Sequence, residues 1–216
     1  MSVPLGHKNH KSSRGCNEPR AYHKKPGYVY EVEKVSNPIL GDVYQLKVLD
    51  LNSSARTNAE RFIWKTEKWK RNPLLTRTFN KVVPKYNEWG KKYLIFQVGN
   101  DGHLYADNGK TLLRVHDYED FVDSVVIPHG VEKIEKEAFE FVLAHKLILP
   151  ETVKTVEFGG FYGINNVKEI DFYSNNTFVS DNGYFLRSVV IKVPKGSLDF
   201  YKEQLKQSSR VEFEEF

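Results

Sequence analysis

Four side chains near the N-terminus carry zinc-ligand chemistry: His7, His10, Cys16 and His23. Imidazole nitrogen and thiolate sulfur both suit Zn2+. The spacing H-x2-H-x5-C-x6-H, however, fits none of the common structural sites. Asp117, Glu119, Asp120 and Asp123 offer oxygen ligands for a hard cation, but without EF-hand spacing they read as a solvated acidic loop. Gly159-Gly160 and the turn at residues 99–102 lack the Lys and Ser/Thr of a phosphate loop. No Ser, His and carboxylate set carries a nucleophile signature. The chain is therefore expected to be non-enzymatic, with no cofactor and no metal.

The remaining chemistry is electrostatic. Residues 1–92 hold 19 Lys and Arg against 8 Asp and Glu, whereas residues 93–216 hold 13 against 20. A basic half favours acidic partners, either protein or nucleic acid. The candidate contacts to an anionic partner are Lys8, Lys11, Arg14, Arg20, Lys24, Lys25, Lys68, Lys70 and Arg71. Trp64, Trp69 and Trp89 lie among such residues, and basic and aromatic side chains together can grip phosphates and stack on bases. Three Trp in a small β-rich unit equally suit its core. No recognisable RNA-binding motif accompanies them.

Three segments must position these residues. Residues 1–27 are a basic, Pro- and Gly-interrupted arm that cannot bury enough apolar surface to order itself alone. It is expected to dock on a neighbouring subunit. Residues 28–98 read as a small β-rich attachment unit, with alternating strands near residues 28–35 and 43–51 and an apolar strand at 93–98. Residues 55–71 are ambiguous: Ala59, Phe62, Ile63 and Trp69 partly suit a helical stripe, which Asn72-Pro73 would end. Residues 99–216 open with a hairpin, since Asn108-Gly109 separates two apolar runs.

A repeated phrase then governs the chain. V-V-I-P-H-G-V-E-K-I-E-K-E-A-F begins at Val125, and L-I-L-P-E-T-V-K-T-V-E-F-G-G-F begins 22 residues later at Leu147. Ile170-Asp171-Phe172 and Ile191-Lys192-Val193-Pro194 supply two further strands. A fixed period of this size marks units that bury their apolar faces by stacking. Val131, Ile134 and Phe139, then Val153, Val156 and Phe161, are expected to fill the return path.

The pattern resembles the BspA-like leucine-rich repeat family, the short V-x-I-P…A-F type, over about residues 100–206. D-G-x-L-Y-x-x-x-G-K-x-L-L at residues 101–113 is similar to that family's interposed hairpin, and V-P-K-G-S-L-D-F-Y-K at 193–202 to its closing strand and helix. Glu135 and Glu157 depart from the family by replacing its glycine after the inner Ile, and Gly160 replaces its alanine. The fold implied is mainly β with minor α. It is a short solenoid of about three units with a hairpin cap and a C-terminal helix, behind the β-rich unit and the extended arm.

The resemblance implies protein contact or adhesion and no catalysis. Val126, Ile148, Asp171 and Lys192 are expected to form one outward row, with apolar Val126 and Ile148 marking a contact surface. The competing expectation is that the N-terminal unit covers them. The function expected is a structural or adaptor subunit of a larger assembly, with other protein subunits as partners and a virion-type particle as one setting. The alternatives are a surface adhesin missing its secretion signal and a nucleic-acid-associated protein acting through the basic half. No apolar run is long enough for a membrane span, and residues 1–11 lack a secretory core. The expected location is the cytoplasm or the interior of a particle. Cys16 is the only cysteine, so no internal disulfide is expected.

Overall fold

The computed structural model describes residues 30–49, 85–86, 92–116, 120–180, 188–205 and 210–216. The chain is mainly β and forms two sheets. The arm, residues 55–71, the three Trp and the four zinc-ligand types lie outside the described residues.

Alternation makes the first strands. β1 (Tyr30–Asn37) and β2 (Gly41–Leu49) form an antiparallel hairpin. Asn37 shapes its tip: its Oδ1 accepts the Ile39 and Leu40 amides at 2.8 and 2.9 Å, and its Nδ2 donates to Asn108 Oδ1 at 3.0 Å. β3 (Lys85–Tyr86) pairs with β4 (Lys92–Val98), and β4 lies beside β2. β5 (Leu104–Ala106) follows a turn closed by Asp101, whose carboxylate accepts the His103 amide and the Tyr105 hydroxyl. A 3-10 turn at Asp107–Gly109 leads into β6 (Thr111–Arg114), completing the hairpin expected at Asn108-Gly109. β4 and β5 are antiparallel neighbours, so the boundary drawn at residue 98 runs between adjacent strands of one sheet.

The repeats then wind between the two sheets. β7 (Val122–Val126), β9 (Ala144–Leu149), β11 (Glu169–Phe172) and β13 (Val189–Val193) stack in parallel and form the repeat sheet. The short return strands β8 (Lys133–Ile134), β10 (Thr155–Val156) and β12 (Phe178–Val179) stack on β6 in the long sheet, whose order is β1-β2-β4-β5-β6-β8-β10-β12 with β3 beside β4. The expected inner residues Val131, Ile134, Phe139, Val153, Val156 and Phe161 are all buried.

One inward row crosses the whole long sheet. Val179, Val156, Ile134, Leu112 and Tyr105 are aligned in register, and the row continues through Gln97, Gln45 and Glu33. β7 shares a turn with β8, so beyond β6 no repeat strand faces the row. There it changes from apolar to a hydrogen-bonded polar ladder. Gln97 Nε2 donates to Gln45 Oε1 at 3.0 Å, and Gln45 Nε2 donates to Glu33 Oε1 at 2.5 Å.

The two hairpins and the solenoid interlock. A Cβ on Gly130 would lie 2.7 Å from Ile39 Cγ1, so the bare backbone there lets the β1–β2 tip seat against the first repeat. Ile39 and Leu40 pack on the main core.

The far end is closed by the helix α1 (Leu198–Leu205). Gln204 acts as a substitute strand: its Oε1 accepts the Val179 amide at 2.8 Å and its Nε2 donates to the Thr177 carbonyl at 3.2 Å. Tyr201 donates to the Ser174 carbonyl at 2.7 Å and accepts the Thr177 amide at 3.2 Å. Ser197 precedes the helix, but its hydroxyl turns back to the Pro194 carbonyl at 2.6 Å. After α1 the chain adds β14 (Val211–Glu215), parallel to β13 and one period on: Val189 pairs with Val211 and Ile191 with Phe213. The stack thus holds four repeat strands and a fifth, C-terminal one.

The corners between β8 and β9 and between β10 and β11 pose a backbone problem. Gly159 (φ 73°) and Gly163 (φ 84°) adopt left-handed conformations in the second corner. The matching residues of the first corner are Glu137 (φ 57°) and Phe141 (φ 63°). A side chain in this region costs about 1–2 kcal/mol. We expect Phe141→Gly to be neutral to slightly stabilising, by up to about 1 kcal/mol after the added flexibility of the unfolded chain. Gly163→Ala should cost about 1–2 kcal/mol, because its Cβ would also lie 3.2 Å from Glu140 Cα. Urea midpoints of the two variants test the contrast, which fails if both move in the same direction.

Candidate protein-binding face

The outward face of the repeat sheet is a grid. One row runs Val126, Ile148, Asp171, Lys192 and Glu214 on consecutive strands, in register. The row before it runs Ser124, Lys146, Glu169, Val190 and Glu212. The four row residues expected from sequence are therefore brought side by side. Val126 is 57% exposed, and Ile148 is half-buried. Among the described residues the N-terminal strands extend the opposite sheet instead of covering this one.

The polar half of the grid is an ion-pair ladder. Lys146 Nζ lies 2.5 Å from Glu169 Oε1 and 2.6 Å from Asp171 Oδ2. Lys192 Nζ lies 3.0 Å from Glu169 Oε2 and 3.6 Å from Glu214 Oε2. Asp171 is thus buried in the ladder, so Val126 and Ile148 are the members of the row that offer apolar surface. The Lys146 hydrogen bond is the main cause of the lowered Glu169 pKa. Lys146 is raised chiefly by Asp171, and Lys192 chiefly by Glu169.

A second pair of ladders lines the opposite sheet. Glu132 bridges Lys110 at 2.9 Å and Lys154 at 2.7 Å, and these bonds, Lys154 first, hold its carboxyl down to about 2. Lys133 bridges Glu135 and Glu157 at 2.8 and 2.9 Å. Glu135 and Glu157, one period apart, are thus partners of one lysine. Between turns, Thr152 and Thr177 donate to the carbonyls of Val131 and Val153 at 2.9 and 2.6 Å.

The ladders carry a pH signature. Depressed carboxyls contribute stability at neutral pH and lose it as pH falls from the unfolded value, 4.5 for Glu132, through the folded one, about 2. Melting temperature should therefore drop across that window, with Glu132→Gln flattening the profile. The effect should shrink in high salt, because these pairs are exposed to solvent. A profile unchanged by Glu132→Gln and by salt would remove the ladder from the account.

Aromatic side chains rim the face. Tyr173 and Phe216 lie 5.1 Å apart between centroids, and Phe121 stacks on His145 at 5.3 Å. Sequence reasoning missed Phe216, Glu212 and Glu214. The available signal was Val211-x-Phe213, which follows Val189-x-Ile191 by one period. Asp120, just before β7, and Asp123, within it, are exposed, and Asp117 and Glu119 lie outside the described residues. So do Lys8, Lys11, Arg14, Arg20, Lys24, Lys25, Lys68, Lys70 and Arg71. No metal-binding group of His, Cys, Asp and Glu occurs among the described residues. No helix there is long and apolar enough to cross a membrane.

No protein-family model matches the chain, and neither does any curated protein or solved structure.

Proposed function

We propose that this chain is a non-enzymatic structural or adaptor subunit that binds other proteins through its repeat sheet. The observation that carries the reading is the in-register outward row, with apolar Val126 and Ile148 beside a ladder whose charges are already paired. Exposed apolar groups beside paired charges favour a contact that excludes water. On this reading the repeats are BspA-like leucine-rich repeats, and the setting is a large assembly such as a virion-type particle. A photo-crosslinking residue at position 126 of the full chain, within its native complex, tests it. Crosslinks to a partner are expected there and not at position 155 on the opposite sheet. Equal capture at both positions, or none at 126, overturns the proposal.

The charge of residues 1–92 favours a second reading, association with nucleic acid. Retention of the full chain on nucleic acid that falls steeply with salt would favour it; salt-insensitive or absent retention would exclude it.

A further inference from the structure

We propose that Asn108-Gly109, at the turn of the β5–β6 hairpin, is a deamidation site that the fold holds shut. It reacts only when the junction between the two hairpins and the first repeat opens.

The chemistry is that of any Asn followed by Gly. A residue without Cβ leaves its main-chain nitrogen unhindered. After losing its proton to hydroxide, the Gly109 nitrogen attacks Asn108 Cγ. A C–N bond forms, the Cγ–Nδ2 bond breaks and the amide nitrogen leaves as ammonia. Water then opens the cyclic imide at either of its carbonyls and gives aspartate or isoaspartate. The sequence of steps consumes water alone and involves no oxidation or reduction.

The folded conformation forbids the first step. The imide ring contains both Asn108 Cβ and the Gly109 nitrogen, so the two must lie on the same side of the Asn108 Cα–C bond. That requires a strongly negative ψ. Asn108 has φ 56° and ψ 41°, which turns the nitrogen nearly to the opposite side. Asn adopts this left-handed conformation more readily than most residues, so the turn can rest there.

The turn is held from three directions. Asn37 Nδ2 donates to Asn108 Oδ1 at 3.0 Å. The Lys110 amide donates to the Asp107 carbonyl at 3.2 Å. The Lys110 carbonyl accepts the Glu132 and Lys133 amides at 2.7 and 3.0 Å. Gly109 has no spare room either: a Cβ there would lie 3.0 Å from Asn37 Oδ1 and 3.1 Å from Leu40 Cγ. Rotating the Asn108–Gly109 peptide into the reactive geometry therefore unseats the β1–β2 tip and loosens β8 from β6.

Isoaspartate makes the event one-way. It routes the main chain through the former side chain and lengthens it by one methylene, against Asn37 and Leu40, where no volume is free. Leu40 packs on the main core. A chain that has opened and reacted thus carries a covalent mark at this junction and cannot reseat the tip. Aspartate, the other product, keeps the main-chain length and an oxygen for Asn37 Nδ2.

The test incubates the full chain in mildly alkaline buffer. Peptide mass mapping follows conversion at Asn108, and isoaspartyl methyltransferase labelling counts the isoaspartate. A peptide of residues 104–113 is the reference. Folded wild type should react at least about tenfold more slowly than the peptide, because local opening limits it. Asn37→Ala, with unchanged circular dichroism, should raise the rate about threefold or more. Wild type in urea below its unfolding midpoint should react faster as urea rises, a reading that stands even where Asn37→Ala does not fold. Asn37 Oδ1 accepts the Ile39 and Leu40 amides. In the isolated isoaspartyl form these amides should exchange with deuterium at least about tenfold faster than in wild type, whereas Asn108→Asp should keep their protection. Wild type reacting at the peptide rate overturns the gate, and so does a rate unmoved by Asn37→Ala or by urea. Equal protection in the isoaspartyl form and wild type overturns the one-way mark.

Discussion

Glu140→Ala lowers the free energy of unfolding by about 3–5 kcal/mol, the cost of removing one partner of a buried ion pair. Arg114 is 1% exposed and Glu140 7%, in a part of the molecule where water cannot replace a lost partner. Arg114 Nη1 lies 3.4 Å from Glu140 Oε2, and Nη2 donates to the Glu140 carbonyl at 3.2 Å. Removing the carboxylate leaves the guanidinium ionised, because its proton affinity is too high for it to neutralise. Glu140→Gln keeps the shape and a hydrogen-bond acceptor and should cost less. The double variant Arg114→Met/Glu140→Leu should recover most of the loss, since apolar groups of similar volume often replace a buried pair at little cost. Urea denaturation of the three variants decides the matter. If the single alanine variant loses under about 1 kcal/mol, the pair is not the lock between β6 and the first corner that its geometry indicates.

That lock is of a kind sequence does not display. Arg114 and Glu140 are 26 residues apart and belong to different elements, so no period or motif joins them. The 22-residue repeat, by contrast, was legible, because the same burial requirement recurs on each turn. Val125, Ile127, Leu147, Leu149, Ile170, Phe172, Ile191 and Val193 are all buried. Alternation identifies strands but not their neighbours. The strands of the small β-rich unit lie in the same sheet as the repeat returns. Pairing at β4–β5 depends on a turn and on the edge left open by β6, and neither appears in a hydropathy pattern.

The face was partly legible for the same reason. Strand parity placed Val126, Ile148, Asp171 and Lys192 on one side, and register aligned them. Their chemistry depends on the adjoining row. Lys146 and Glu169 lie two residues earlier on their strands, and Lys146 pairs with both Glu169 and Asp171, so that Asp171 is engaged within the ladder. The departure of Glu135 and Glu157 from glycine was visible, but their shared partner Lys133 was not. β14 escaped because α1 interrupts the repeat and because Glu212, Glu214 and Glu215 make residues 211–216 look like an acidic tail. Charged side chains on an edge strand also discourage unplanned strand pairing.

Phe161→Ala is expected to cost about 3–5 kcal/mol, as truncation of a fully packed aromatic usually does. Phe161 is the middle of an aromatic spine that links the turns to the cap. Its ring stacks on Phe139 at 5.9 Å between centroids and meets Phe172 edge-on at 6.1 Å, and Phe172 lies 4.9 Å from Tyr201 of α1. The loss therefore combines removed apolar burial with a cavity bounded by neighbouring turns, which cannot collapse without shifting the sheets. Phe139→Leu and Phe161→Leu should be coupled by about 0.5–1.5 kcal/mol in a double-mutant cycle, the range for aromatic pairs. Phe200→Ala, at an exposed site on α1, is the control and should lie within about 0.5 kcal/mol of wild type. Strict additivity at residues 139 and 161 would mean that the turns are stabilised independently. The outward row would then owe its alignment to backbone hydrogen bonds alone. Measured coupling would instead tie the register of the binding face to the side chains packed beneath it.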